Sequence, residues 1–284
     1  MDRPSQRQRA EQFGRLHQGP NVLVVGSAWD GGSAVIFERE GFDAIATSSA
    51  GIAFSLGYPD GERIPREEML AAIARIVRAT RLPVSADIES GYGRSAAQVS
   101  ETCRRVLEAG AIGVNLEDAT TDGTPPLVEP ELQAEKIRAV RAMADNFGVP
   151  LVINARTDCY LLKLGDDVSR FANAVRRLNL YREAGADCLF VPGVAARETV
   201  ARLVREVKGP LNVLAGADTP PVSELRALGV RRVSQGSGPA RAALAATRRI
   251  ARELKEQGTY VAYTTDAISY ADANQLFDRG QAPW

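Results

Sequence analysis

The stretch Leu82-Pro83-Val84-Ser85-Ala86-Asp87-Ile88-Glu89-Ser90-Gly91-Tyr92-Gly93 is an apolar, β-branched run that breaks into an acidic, glycine-rich loop. About one βαβ unit later the pattern recurs: Ile112-Gly113-Val114-Asn115-Leu116 ends in Glu117-Asp118. Read as neighbouring parallel strands, the two runs bring their carboxylates together at one end of a sheet. Crowded carboxylates repel and are costly to desolvate, and a divalent cation satisfies them. An all-oxygen donor set suits Mg²⁺ or Mn²⁺ rather than zinc.

Outward from this pair the same alternation continues. Strand-like runs fall at 21–25, 44–47, 82–87, 112–116, 150–154, 187–191, 211–214 and 231–234. Helical patterns fall between them at 33–40, 66–79, 96–109, 130–146, 166–184, 195–207, 221–227 and 239–256. Strand and helix alternating about eight times predict an α/β fold, a (β/α)₈ TIM barrel, with a doubly wound open sheet as the alternative. The expected organisation is a polar N-terminal segment at 1–20, the catalytic barrel at 21–260 and a C-terminal extension at 261–284. In such a barrel the chemistry sits where the strands end.

Composition removes several classes. Lys plus Arg and Asp plus Glu number 35 each, so no global field favours nucleic acid or an anionic membrane. The polar first residues give no signal peptide, and no run approaches the ~20 apolar residues of a membrane span. Cys103, Cys159 and Cys188 are scattered and match reduced thiols in a cytoplasmic protein. His17 is the only histidine, with a solvated or packing role, so triads and zinc sites that need imidazole lack their parts.

Four phrases, in order, resemble the phosphoenolpyruvate mutase/isocitrate lyase superfamily. Ser48-Ser49-Ala50-Gly51, with Gly57-Tyr58-Pro59-Asp60-Gly61, resembles the segment that holds a substrate carboxylate. Asp87 to Gly93 resembles the D-x-D-x-G-Y-G metal loop, with Glu89 for the second aspartate. Glu117-Asp118 resembles the acidic pair after strand four, and Asn154-Ala155-Arg156-Thr157-Asp158 the strand-five arginine motif. The family's C–C lyases carry a K-x-C-G-H loop whose cysteine is the general acid. Here residues 119–130 contain no Cys, His or Lys.

The resemblance implies a Mg²⁺- or Mn²⁺-dependent lyase that cleaves a C–C bond in a small 2-oxo or 2-hydroxy carboxylic acid through an enolate, by decarboxylation or retro-aldol chemistry. The alternatives are a C–P enzyme (mutase or phosphonopyruvate hydrolase), a carboligase, or a degenerate barrel that only binds a 2-oxo acid. The metal set is Asp87, Glu89 and Glu117, with Asp87 the direct ligand; ion pairing is the bland alternative for the two glutamates. Arg156, Glu117 and Tyr92 are the catalytic candidates, and the fork of Arg156 suits a carboxylate or a pair with Glu117. Ser48, Ser49, Ala50, Gly51, Asp60, Gly91, Gly93, Arg156 and Asn212 are the substrate contacts. Residues 48–51 form either an amide nest for an anion or a plain βα turn. Gly236-Ser237-Gly238 is a weak phosphate-cradle candidate, residues 119–130 a lid. The family exchanges its eighth helix between subunits, which implies a homodimer or homotetramer with aromatic residues 258–284 at the interface.

Overall fold

The computed structural model describes residues 3–121 and 123–278. The strands are β1 (Leu23–Val24), β2 (Gly26–Ala28), β3 (Ile45–Thr47), β4 (Val84–Asp87), β5 (Gly113–Glu117), β6 (Val152–Arg156), β7 (Cys188–Phe190), β8 (Leu211–Leu214) and β9 (Arg232–Ser234). All pair in parallel, in the spatial order β1-β9-β8-β7-β6-β5-β4-β3-β2. Only Val25 separates β1 from β2, so these are two halves of one strand facing opposite neighbours. The Val25 N–H donates to the Val233 carbonyl on one side, and the Gly26 N–H to the Ala44 carbonyl on the other, both at 3.0 Å. The ring is thereby closed, and the expected eight-stranded α/β barrel is the observed fold. At Gly26 the approach of the first barrel helix is so close that a Cβ would lie 2.5 Å from the Phe37 ring.

The helices are α1 (Arg3–Leu16), α2 (Gly31–Arg39), α3 (Ser49–Ser55), α4 (Arg66–Ala79), α5 (Ala96–Glu108), α6 (Pro130–Phe147), α7 (Asp167–Glu183), α8 (Arg197–Glu206), α9 (Val222–Leu228), α10 (Gly238–Glu256), α11 (Val261–Thr264) and α12 (Tyr270–Phe277). The outer helices are started by local chemistry. Ser95 and Gln98 make a reciprocal capping box on α5, whose Val99, Cys103, Val106 and Leu107 then form one buried stripe. Asp30 and Ser33 do the same for α2.

The polar N-terminal segment contains α1, which closes the floor of the barrel. Phe13 is fully buried, and a Cβ added at Gly113, the start of β5, would meet its ring at 3.1 Å. Gln6 Nε2 donates to the carbonyls of Leu107 and Ala111 at 2.7 and 3.1 Å, tying α1 to the turn that enters β5. His17 takes the packing role: it is 2% exposed and lies edge-on to Phe13. Its Nδ1–H donates to the Phe13 carbonyl at 2.8 Å, which leaves Nε2 as the acceptor 3.4 Å from Arg232 Nη1. At the other end of the chain α12 lies against α2, with Phe277 near Gly32. Trp284 lies outside the described residues.

Burial, reinforced by the charge on Arg232, pulls the His17 pKa down to about 3 from its ordinary 6.5. The unfolded imidazole therefore takes up a proton that the folded one refuses. The stability carried by neutral His17 is complete above about pH 6.5 and is lost as pH falls towards 3. Relative to His17→Gln, the wild type is expected to lose up to about 1.4 kcal/mol per pH unit between about pH 6 and 4. Urea denaturation of both proteins across that range measures the difference; parallel pH profiles would show that the imidazole is not held neutral.

Candidate active site

β4 and β5 end side by side, with Asp87 registered against Asn115. Three donors hold the Asp87 carboxylate. Oδ1 accepts from Asn115 Nδ2 at 2.9 Å, while Oδ2 accepts from the Ser49 amide at 3.1 Å and the Ser49 hydroxyl at 2.8 Å. The Asp87 N–H donates to Thr47 Oγ1 at 2.8 Å, so β3 braces the same residue from its other side.

Beyond Asp87 the chain turns sharply. Glu89 and Tyr92 both take left-handed φ angles of +53°, and Gly91 sits at +98°. Non-glycine residues hold such angles only where the surroundings over-determine them. Here that role falls to Glu62, a residue outside the expected site set. Its Oε1 accepts from the Ser90 N–H at 3.1 Å, the Ser90 hydroxyl at 2.7 Å and the Tyr92 N–H at 2.9 Å. Glu89 answers by accepting the Glu62 N–H on Oε2 at 2.7 Å. Two loops from different βα units are thus clasped by two carboxylates. A Cβ on Gly91 would approach Val99 to 2.7 Å, so this position needs glycine for space as well as for φ.

Glu117 and Arg156 close the far side of the cluster. Arg156 Nη1 lies 2.7 Å from Glu117 Oε2, and its Nε and Nη2 donate to the two oxygens of Asp158 at 2.6 and 2.8 Å. Asp158 is itself seated by its N–H, which donates to Asp118 Oδ1 at 3.0 Å. Asp118 Oδ2 in turn receives Tyr181 and Arg177 at 2.7 and 3.1 Å. The fork of Arg156 is therefore taken by Asp158, with Nη1 on Glu117, the pairing that the sequence left open beside a substrate carboxylate. Burial opposes the Arg156 charge, but Glu117 and Asp158 outweigh it and its pKa rises.

Crowding shifts the protonation of these carboxylates. Burial first, then the charges of Asp87 and Asp60, push Glu89 up to about 8. Burial and Asp87 raise Asp60, and burial raises Glu117 well above the usual range against the pull of Arg156. Glu89 Oε1 is buried with no hydrogen-bond partner.

A cavity of about 330 Å³ opens over the strand ends. Asp87, Asp60, Arg156 and Asn212 line it, as do Ser48, Ser49 and Ala50. Of the two readings of residues 48–51, the turn into a helix is the one seen: Ser48 is the N-cap of α3. Its hydroxyl takes the Gly51 N–H at 3.1 Å, and the Ser49 N–H is given to Asp87. Gly51, Glu89, Gly91, Tyr92, Gly93 and Glu117 are not among the lining residues. Tyr92 packs against the core with its hydroxyl buried and unpartnered. The lining also includes residues absent from the expected set: Thr47, Asn115, Asn154 and Arg232. Gly236 and Ser237 stand in the same wall with Arg241.

In the segment expected as a lid, Ala119 and Leu127 form an antiparallel bridge and the Thr120 N–H donates to the Pro126 carbonyl at 3.1 Å. Its residues line a separate cavity of about 250 Å³ with Lys136, not the one above Asp87. Among the described residues lining the Asp87 cavity none is Cys, His, Lys or Tyr. Cys159 is fully buried beside Thr157, and burial raises its thiol; Cys103 and Cys188 are pushed to about 12 for the same reason.

The donors fit a hard divalent cation. They are all oxygen, burial and neighbouring negative charge raise Glu89, Asp60 and Glu117, and one buried carboxylate oxygen lacks any partner. Among the described residues no three such groups converge on one point. That arrangement suits an ion that keeps most of its waters.

Comparison with known proteins bears on this arrangement. The phosphoenolpyruvate phosphomutase family profile matches residues 13–255. The chain belongs to the phosphoenolpyruvate mutase/isocitrate lyase superfamily. Within this superfamily of lyases and mutases it is 33% identical over 250 residues to 2-methylisocitrate lyase of Aeropyrum pernix, covering 84% of this chain and 77% of that one. It is 33% identical over 257 residues to oxaloacetate decarboxylase of a Bradyrhizobium species, covering 88% and 86%. A crystal structure from Burkholderia cenocepacia J2315, named no more closely than lyase/mutase, superimposes with a TM-score of 0.90 at 40% identity, covering 98% of this chain and 97% of that one. The superfamily's barrel is the fold described above, and the chain is an enzyme of its lyase type.

Because Glu62 holds three donors of the Asp87–Gly93 loop on one oxygen, Glu62→Ala is expected to destabilise the protein by about 2–3 kcal/mol. Glu62→Gln keeps an acceptor there and is expected to lose less. Chemical denaturation distinguishes them; equal, negligible losses would show that the clasp does not hold the loop.

Proposed function

We propose that this enzyme cleaves a C–C bond in a small 2-oxo or 2-hydroxy carboxylic acid, either from C3 to a departing carboxyl group in a 2-oxo acid or between C2 and C3 in a 2-hydroxy acid, so that an enolate is left behind, with Mg²⁺ or Mn²⁺ at Asp87. The observation that carries the reading is the set of crowded carboxylates around Asp87 at the rim of a polar cavity. When bound, the cation supplies Lewis-acid stabilisation of the charge that develops on the substrate oxygens. Asp87 would hold it directly, and Glu89, Glu117 and Asp60 through water.

The remaining work falls to the chain's own groups. Arg232 and Arg241 line the cavity and, among the described residues, neither forms an ion pair with a carboxylate, so they supply positive charge for an acidic substrate. Arg156, held by Glu117 and Asp158, adds a fixed field rather than a free fork. Asn212 donates to Ser234 at 3.2 Å and presents its amide at the same wall. For the proton taken up by the enolate, no lining Cys, His, Lys or Tyr is at hand among the described residues. Asp60, with its raised pKa, and solvent are the available sources. That supports decarboxylation or another reaction tolerant of a solvent proton over cleavage that needs a dedicated loop acid.

The test is turnover with Mg²⁺ against three- to five-carbon 2-oxo and 2-hydroxy acids, following CO₂, carbonyl product and phosphate separately. Chelation is expected to abolish activity, and Asp87→Ala to lower it by roughly a hundredfold or more. Full turnover in excess chelator would sink the reading.

The C-terminal part supports assembly. Tyr260, Val261, Ile268 and Tyr270 are all more than half exposed, an apolar surface suited to a second copy of the chain. Light scattering at micromolar concentration is expected to give a multiple of 30.5 kDa; a mass of one chain would exclude it.

A further inference from the structure

The amides of Asn115 and Asn154 form a directed chain that ends on Asp87. Asn154 Nδ2 donates to Asn115 Oδ1 at 2.9 Å, and Asn115 Nδ2 donates to Asp87 Oδ1 at 2.9 Å. The three residues sit on adjacent strands, with Asn115 registered against Asp87 on β4 and against Asn154 on β6. Both asparagines are buried, at 7% and 1% exposure, and both line the cavity.

A side-chain amide has one accepting end and one donating end, so the first bond dictates the second. With its oxygen turned to Asn154, Asn115 has only N–H to offer Asp87. The reverse orientation would set a carbonyl oxygen against a carboxylate. Ser49 holds the other carboxylate oxygen, so the Asp87 rotamer is fixed from two sides. The chain terminates in a buried acceptor, Asn154 Oδ1, which has no partner. A leucine, with the same branching and number of heavy atoms, would fill that place without stranding a polar atom, so packing alone does not account for an asparagine there.

We infer that Asn115 and Asn154 are positioning residues for the divalent cation at Asp87: Asn115 orients the carboxylate, and Asn154 orients Asn115. The inference rests on the metal reading above. Such outer partners govern how well a ligand carboxylate is presented, and their loss weakens metal affinity without removing a ligand.

The experiment is Mn²⁺ binding, followed by electron paramagnetic resonance of the free ion, without substrate. It compares the wild type, Asn115→Leu, Asn154→Leu and the double variant, with thermal midpoints to establish folding. Asn115→Leu is expected to weaken Mn²⁺ binding roughly tenfold or more, and Asn154→Leu by a smaller factor. The double variant should bind no more weakly than Asn115→Leu, because Asn154 acts only through Asn115. Asn154 makes no hydrogen bond to Asp87, so Asn154→Leu carries the test even if Asn115→Leu does not fold. Folded variants with wild-type affinity, or losses that add in the double variant, would overturn the inference and leave the metal reading standing. A wild type that binds no Mn²⁺ would remove the metal reading and this inference with it.

Discussion

The repulsion among Asp60, Asp87, Glu89 and Glu117, crowded at the rim of one cavity, is the constraint around which the upper half of the barrel is organised. Like charges in low dielectric cannot all stay ionised without compensation, and the structure shows the compensation in pieces. Asp87 is held by three hydrogen-bond donors, Glu117 by a guanidinium, and Glu89 by a single backbone N–H. The last has the fewest donors, and burial followed by the charges of Asp87 and Asp60 pushes its carboxyl to about 8. A divalent cation would discharge what these partial remedies leave over.

That constraint explains why the surrounding polar network is directional. Arg156 is aimed by Asp158, Asp158 is seated on Asp118, and Asp118 is held by Arg177 and Tyr181. Each charge in this chain has its partner within hydrogen-bond distance, which is the condition under which buried ion pairs are tolerated. The loop after Asp87 shows the same logic in backbone form, since left-handed Glu89 and Tyr92 persist because Glu62 accepts the N–H groups of Ser90 and Tyr92. Deeper in the barrel, Arg232 has no carboxylate partner among the described residues. It lies near the Phe13 ring and next to a histidine kept neutral, so one cation sits below a rim that carries several anions.

The strand ends, the acidic glycine loop after Asp87 and the acidic pair were legible because they are local in sequence. A β-branched run followed by Asp-x-Glu-x-Gly-Tyr-Gly states both a strand and what happens after it. The clasp by Glu62 was not legible, because Asp60-Gly61-Glu62 looks like any turn until a loop 28 residues later closes onto it. The floor helix was hidden for a related reason. Its outer face is polar enough to suggest a solvated tail, while the few residues that matter, Gln6, Phe13 and His17, find their partners at the end of α5, on β5 and on β9. The segment 119–130 reads as a lid because its ends carry prolines, and composition does not say which cavity a loop will border.

Periodicity and the order of strands and helices, both properties of neighbouring residues, determined the parallel barrel and the end of it that holds the acids. A single histidine and a loop without cysteine likewise restricted the chemistry, because both are matters of composition alone. Tertiary structure alone decided which donors meet which carboxylates: that Ser49 and Asn115 go to Asp87, that Arg156 is taken by Asp158, and that Tyr92 turns away from the cavity. Such choices depend on distances between atoms brought together from separate strands. A hydrogen bond that is lost beyond about 3.5 Å leaves no trace in the spacing of residues along the chain.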